Sequence, residues 1–228
     1  MKFEYSYEMV NGHIILENGP NHLLIDTGAP TSVGNTSRLD FAGKSHMVLE
    51  EYMGVTPDSL SGNVGTTISG LVGVDILSPF DILIDPSVCR IVMSEEELSI
   101  DGNSLSVDAF MGIPIIDAVV SDVTVRMFFD TGAKHSYLKP ELIKIFPTTG
   151  VENDFYPGLG EFSTQIFSVP IRIGSKETTL QMGILPKLLQ ATLMMANTDG
   201  ILGTALLDVF TILFAPRLKR ISLLERNS

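Results

Sequence analysis

Two copies of one tetrapeptide carry the carboxylates of this chain that are best suited to chemistry. The sequence Asp-Thr-Gly-Ala at residues 26–29 recurs at residues 130–133. Two carboxylates within hydrogen-bonding distance do not ionise together easily, so they share one proton over a broad pH range. One of them can take a proton from water while the other, still protonated, donates to a substrate carbonyl. Asp26 and Asp130 therefore predict direct hydrolysis of an amide, with no metal and no covalent intermediate.

The segments around the two aspartates are suited to hold them rigidly. Apolar runs at residues 23–25 and 127–129 predict buried strands that end at each aspartate. A glycine permits the tight turn that follows, and a threonine hydroxyl can hydrogen-bond to neighbouring backbone. The predicted supporting residues of the two loops are Thr27, Gly28, Ala29, Thr131, Gly132 and Ala133.

A second repeated motif indicates that the chain is a duplication. Residues 70–73 read Gly-Leu-Val-Gly and residues 200–203 read Gly-Ile-Leu-Gly, and the same offset continues without a gap as far as Ile91 and Ile221. An internal repeat determines the architecture of a chain. We therefore expect two similar lobes, an N-terminal lobe of residues 1–100 and a C-terminal lobe of residues 101–228, each with one of the aspartates.

Together these motifs resemble those of the aspartic proteases. Each Asp-Thr-Gly is similar to a catalytic loop of that family. Gly73 and Gly203 each close a hydrophobic-hydrophobic-Gly signature, whose strand threads the catalytic loop in a ψ-shaped arrangement. The alanine after each loop resembles the retroviral enzymes, whereas the duplication within one chain resembles the pepsins. The resemblance implies an all-β, bilobal, pepsin-like fold with few short helices, and catalytic Asp26 and Asp130 at the floor of the cleft.

The chain between the two motifs differs between the halves. The second half has 26 more residues in this interval. The pattern there predicts a hairpin over residues 161–183 with its turn at Gly174-Ser175-Lys176, and a helix over residues 185–196. Residues 139–146 predict a further short helix, with Pro140 in its first turn. In the first half, residues 47–53 are a short helical candidate.

The resemblance also implies a β-hairpin flap over the substrate, which pepsins supply from the N-terminal lobe and which bears a tyrosine. No clear hairpin is visible in the first half of this sequence, where Tyr52 lies in the helical candidate and is interpreted as a packing residue. A better hairpin turn lies in the second half, at residues 156–160. We therefore expect the flap to come from the C-terminal lobe, with Tyr156 as a substrate-binding residue at its tip.

Composition excludes several other classes of function. The 228 residues include 27 acidic and 15 basic side chains, a net charge of −12, without the clustered Lys and Arg that nucleic acids or anionic membranes require. The four histidines and the single Cys89 lack the spacing of a zinc site, so neither metal nor cofactor is expected. One cysteine, no visible secretory signal and no apolar run of about 18 residues favour a cytoplasmic protein.

The sequence thus predicts an aspartic endopeptidase that acts on a peptide or protein substrate, as a monomer or a homodimer. Two alternatives stay open. One is a catalytically inactive module of the same fold that binds peptides or dimerises, and the other is a processing enzyme with narrow specificity for one protein partner. The separation of the two aspartates discriminates between the endopeptidase and the inactive module. Carboxylates within reach of a shared water favour catalysis, and a wider separation favours the binding module.

Overall fold

The computed structural model describes residues 1–156 and 159–226, and strands dominate it. The strands of the first half are β1 (Lys2–Val10), β2 (His13–Asn18), β3 (Asn21–Ile25), β4 (Val33–Gly34), β5 (Arg38–Phe41), β6 (Lys44–Met47), β7 (Gly70–Val72), β8 (Asp81–Asp85) and β9 (Arg90–Ser94). The helices of this half are α1 (Pro57–Val64) and α2 (Val74–Leu77).

The second half follows the same order with a longer insertion. Its strands are β10 (Asn103–Ser106), β11 (Asp108–Phe110), β12 (Ile113–Val120), β13 (Val123–Phe129), β14 (Ser136–Leu138), β15 (Thr148–Tyr156), β16 (Gly160–Ile173), β17 (Lys176–Gly183), β18 (Gly200–Leu202), β19 (Phe210–Ala215) and β20 (Arg220–Glu225). Its helices are α3 (Pro140–Ile143) and α4 (Lys187–Met195), with 3₁₀ turns at Thr204–Asp208 and Pro216–Leu218.

One sheet joins the two halves and contains their pseudo-two-fold axis. In this sheet β8 pairs with β19 in antiparallel register, with Leu83 opposite Leu213. These two residues occupy equivalent positions of the sequence repeat. Strands β9 and β1 continue the sheet on one side of the axis, and β20 and β10 continue it on the other. The repeat found in the sequence therefore corresponds to a repeat in strand pairing.

The strands that lead to the two aspartates have identical neighbours in each half. Strand β3 runs parallel to β7, with Leu24 opposite Leu71, and β13 runs parallel to β18, with Phe128 opposite Ile201. Strand β4 pairs with the other edge of β7, as β14 does with β18. The apolar runs predicted to be buried strands are buried: Ile25 and Leu23 have no exposed surface.

The predicted helix over residues 47–53 is wrong. Met47 ends β6, and Tyr52 pairs with Val55 around a tight turn in which Met53 and Gly54 have positive φ angles. The helix of this region is α1, which begins after Thr56. The Thr56 hydroxyl accepts from the Ser59 N–H and the Ser59 hydroxyl accepts from the Thr56 N–H, so a capping box starts the helix at Pro57.

The first half also contains a hairpin that the sequence did not indicate. Strands β5 and β6 pair around a two-residue turn in which Ala42 and Gly43 have φ angles of 49° and 70°. Both central residues are left-handed, as a type I′ hairpin turn requires. Alanine rarely takes this conformation, because its Cβ crowds the backbone there, and Ala42 gave no turn signal.

Three predicted elements of the second half are confirmed. Strands β16 and β17 form the hairpin, with their turn at Gly174 and Ser175. Helices α3 and α4 lie within residues 139–146 and 185–196. Helix α4 is not part of the extra length of the second half, however. Its counterpart in the first half is α1, and the two helices are separated by the same number of residues as the motifs at residues 70–73 and 200–203. The additional length lies before α4, in the segment that forms β15, β16 and β17.

Candidate active site

The two Asp-Thr-Gly loops meet at the interface between the halves. Each aspartate follows its strand directly, and its N–H donates to a carbonyl of the neighbouring parallel strand. Asp26 donates to Val72 and Asp130 donates to Leu202, both at 3.0 Å. The two loops therefore leave their strands in the same geometry, and they approach each other across the pseudo-two-fold axis.

Two buried threonines link the loops to each other. The Thr27 hydroxyl donates to the Phe129 carbonyl at 2.8 Å and accepts from the Thr131 N–H at 3.0 Å. The Thr131 hydroxyl makes the reciprocal bonds, to the Ile25 carbonyl at 2.8 Å and from the Thr27 N–H at 3.0 Å. Both threonines are buried. Four hydrogen bonds of this kind set the distance and angle between the two loops.

The glycines of the two loops lie against the opposite aspartate. A Cβ atom on Gly28 would lie 2.2 Å from Cγ of Asp130, and one on Gly132 would lie 2.3 Å from Cγ of Asp26. Each glycine N–H also donates to Oδ1 of the aspartate in its own loop, at 2.8 Å in both halves. A side chain at either glycine would thus push the carboxyl groups apart.

The two carboxyl groups are partly buried, and each affects the pKa of the other. The pKa of Asp26 is raised well above its ordinary value, by burial first and then by the charge of Asp130. The pKa of Asp130 is raised by burial, and a hydrogen bond from the Asp26 carboxyl favours its ionised form. Two carboxyl groups that influence each other in this way titrate as a pair rather than independently.

Gly73 and Gly203 lie behind the loops. A Cβ atom on either would lie 2.5 Å from a loop carbonyl oxygen, that of Ala29 or Ala133 respectively. These carbonyls accept from the backbone N–H groups of Val74 and Thr204. Only glycine allows each returning strand to pass so close to the loop that it supports.

The serine that braces each loop has a carboxylate partner in the first half, where the second half has an alanine. Ser32 donates its hydroxyl to Asp75 at 2.6 Å and its N–H to the same carboxylate at 3.0 Å, and its hydroxyl accepts from the Gly73 N–H at 2.9 Å. In the second half the Gly203 N–H donates to the Ser136 hydroxyl at 3.1 Å. Alanine occupies the position that corresponds to Asp75.

The hairpin of β15 and β16 brings Tyr156 to the dyad. The pKa of the Tyr156 phenol is raised by burial first, and then by the charges of Asp130 and Asp26. The residue is also partly open to solvent, with 41% of its surface exposed. The Leu159 N–H donates to the Tyr156 carbonyl at 3.0 Å. Pro157 and Gly158, which belong to the predicted flap turn, lie outside the described residues.

The same hairpin contacts residues of both halves that the sequence analysis missed. The Tyr137 hydroxyl donates to Asp154. His13, which comes from the first half and is buried, lies with its ring centroid 6.1 Å from that of Phe155. Burial lowers the pKa of His13, and the charge of Asp154 opposes that shift. No local pattern of the sequence indicated these contacts.

Comparison with solved structures identifies the fold. The chain is similar over its whole length to the aspartic proteinase of Irpex lacteus, with a TM-score of 0.56 and 12% sequence identity, covering 98% of that chain. It is also similar to a retropepsin-like aspartic protease from Rickettsia conorii, with 19% identity and a TM-score of 0.39, over 56% of this chain and 95% of that one. No protein-family model and no curated protein matches the sequence.

The fold is therefore the bilobal, pepsin-like fold of the aspartic proteases, and the all-β prediction is confirmed. The structure brings Asp26 and Asp130 together, and it places Tyr156 near enough for the charges of both to raise its pKa. Within the described residues, no group of three or more His, Cys, Asp or Glu side chains is arranged to hold a metal ion. None of the helices in this part of the chain is long and apolar enough to span a bilayer.

Proposed function

We propose that this chain is an aspartic endopeptidase, in which Asp26 and Asp130 activate one water molecule to hydrolyse a peptide bond. The observation that carries the proposal is the close approach of the two loops, in which a Cβ atom on Gly28 or Gly132 would lie 2.2 or 2.3 Å from Cγ of the opposite aspartate, together with the raised pKa of both carboxyl groups. A protonated and an ionised carboxyl group side by side supply the acid and the base that hydrolysis of an amide needs.

The reaction proceeds in two proton-transfer steps. The ionised carboxylate takes a proton from the water, whose oxygen bonds to the carbonyl carbon while the protonated carboxyl group donates to the carbonyl oxygen. The product of this step is a tetrahedral diol. In the second step a carboxyl group protonates the amide nitrogen, the C–N bond breaks, and the other carboxylate takes the proton of a diol hydroxyl. The dyad ends with one proton, as it began.

The supporting residues keep this geometry fixed. Thr27 and Thr131 hold the loops, and Gly28 and Gly132 allow the carboxyl groups to meet. We assign to Tyr156, whose pKa responds to the charges of both aspartates, the role of donating its phenol group to the backbone of an extended peptide. A preorganised site of this kind costs no rearrangement at the moment of reaction.

We further propose that one chain suffices for activity. The lobes of residues 1–100 and 101–228 supply one aspartate each, so no second copy is needed to complete the dyad. Peptide or protein segments in extended conformation are the proposed substrates, and the cytoplasm is the proposed compartment.

Cleavage of a reduced, unfolded protein tests the proposal. Peptide products are followed by mass spectrometry between pH 4 and 7 for the wild type, Asp26→Asn and Asp130→Asn. The matched control is Asp122→Asn, in an exposed turn with a φ angle of 63° that asparagine adopts readily. We expect both dyad variants to lose at least about a hundredfold in rate and the control to stay active. Cleavage that survives either dyad substitution would refute the assignment.

A further inference from the structure

Each half of the chain has an apolar cluster beside its Asp-Thr-Gly loop. The N-terminal apolar cluster consists of Ile15, Leu24, Val33, Leu60, Val64, Ile68 and Leu71. The C-terminal apolar cluster consists of Ile115, Phe128, Tyr137, Leu185, Leu189, Leu193 and Ala196. Strand pairing places the two clusters at equivalent positions of the repeat, because β3, β4 and β7 correspond to β13, β14 and β18.

The two clusters differ in the side-chain volume that residues of their own half supply. At two equivalent positions within the clusters, and at one more that packs against each of them, the C-terminal half has an aromatic ring and the N-terminal half has an aliphatic side chain. These pairs are Phe110 and Val10, Phe128 and Leu24, and Tyr137 and Val33. Protein interiors are close-packed, so side-chain volume that is missing at such positions has to come from elsewhere.

Phe155 supplies that volume from the other lobe. It belongs to β15, yet its side chain packs against the N-terminal apolar cluster, together with Tyr52, Val55 and Ala29 at the rim. Its ring is tilted by 51° against the ring of His13, which closes one side of the recess. The recess also adjoins the first aspartate, because Leu24 lies in the strand that leads to Asp26 and Ala29 lies in the loop that follows it.

We propose that Phe155 occupies the recess that receives a large apolar side chain of the substrate, so that the free chain occludes its own site. This inference rests on the proposed function. A peptide bond placed at the dyad brings a flanking side chain to the same apolar recess, which cannot hold both groups. The hairpin therefore has to release Phe155 before a substrate binds productively, and the apolar lining favours aromatic or large aliphatic side chains.

In such an arrangement the apparent Kd for substrate equals the intrinsic Kd divided by the fraction of chains in which the recess is free, so occlusion weakens binding. Phe155→Ala removes the competing ring and leaves Tyr156 in place. The matched control is Phe162→Ala on the same hairpin, because Phe162 is also partly buried but packs against the cluster of its own lobe, 6.3 Å from the Tyr137 ring.

The test compares the three chains in binding and in cleavage. The Kd of a statine-type inhibitor with a phenylalanine-like side chain is measured by calorimetry, and KM is measured with a peptide that carries Phe beside the scissile bond. We expect Phe155→Ala to lower both values by about tenfold, and Phe162→Ala to leave the Kd within about twofold of the wild type. An unchanged or higher Kd in Phe155→Ala, with the control unchanged, would overturn the proposal.

A second measurement separates this inference from the proposed function. In the free chain, nuclear Overhauser contacts between the Phe155 ring and the Leu24 methyl groups report the occupied recess, and we expect the inhibitor to abolish them. Their absence from the free chain, or their persistence in the complex, contradicts self-occlusion whatever the activity. Inactivity of the wild type and of both variants contradicts the proposed function instead. Cleavage that appears only in Phe155→Ala supports both.

Discussion

Replacing the Thr27 hydroxyl with a methyl group tests the link between the two loops. Thr27→Val keeps the shape of the side chain but removes two hydrogen bonds, the donation to Phe129 at 2.8 Å and the acceptance from Thr131 at 3.0 Å. The site is buried, with 2% of the Thr27 surface and 1% of the Thr131 surface exposed. Solvent therefore cannot replace the lost partners.

The expected loss follows from these two bonds. A buried backbone group without a partner costs about 1–3 kcal/mol, so Thr27→Val should lower the free energy of unfolding by about 3 kcal/mol. For a chain of this size that corresponds to roughly 6–12 °C in Tm. The matched control, Thr27→Ser, keeps the hydroxyl and should lose only about 1 kcal/mol, the cost of a buried methyl group. A displaced loop should also lower kcat by roughly a hundredfold.

Urea unfolding followed by circular dichroism gives both free energies at one pH, and peptide cleavage gives the rates. The informative result is which of the two variants is less stable and less active, because Thr27→Val and Thr27→Ser differ mainly in the hydroxyl. If Thr27→Val is as stable and as active as Thr27→Ser, the threonine bonds do not hold the loops, and the account of the site geometry is wrong.

Three further predictions concern groups whose surroundings are well defined. Burial raises the pKa of both aspartates, and the charge of Asp130 raises that of Asp26 further, so the folded chain retains a proton that the unfolded chain releases above about pH 4. Stability should fall as pH rises above that value, and Asp26→Asn should raise Tm at pH 7.5 more than at pH 4 in scanning fluorimetry. Arg217→Met leaves the carboxylate of Asp81, which is fully buried and 2.8 Å from the guanidinium, without its ion pair. It should cost about 3 kcal/mol in urea unfolding, and a loss under 1 kcal/mol would contradict this. Gly132→Ala should abolish cleavage in a peptide assay, since its Cβ would lie 2.3 Å from Cγ of Asp26, and retained activity would count against the close approach.

The duplication and the position of the dyad could be predicted because geometry restricts the residues there. Gly73 and Gly203 each lie so close to a loop carbonyl that a Cβ would approach it to 2.5 Å. Thr27 and Thr131 each satisfy buried backbone groups of the opposite loop. Such constraints leave the same residue types at equivalent positions in both halves, and a repeat of this kind is visible in one sequence.

The elements between the motifs of the first half were harder to predict, because a local run of apolar residues indicated a helix where none forms. The run ending at Met53 resembles a helix, yet Met47 and Met53 are 71% and 75% exposed and a tight turn follows. Helix α1 is polar and starts at a capping box, whose Thr56 and Ser59 lie outside any apolar pattern. The contact of Phe155 with the opposite lobe depends on tertiary packing alone, so no local pattern could have indicated it.

The proposed mechanism depends on one proton shared by Asp26 and Asp130, and calorimetric binding of an inhibitor measures that proton. A statine-type hydroxyl resembles the tetrahedral intermediate and needs one protonated and one ionised carboxyl group to bind it. We expect tight binding to the wild type that weakens as pH rises from 5 to 8, and no binding to Asp26→Asn or Asp130→Asn. Affinity that is independent of pH, or equal in wild type and variants, would contradict it.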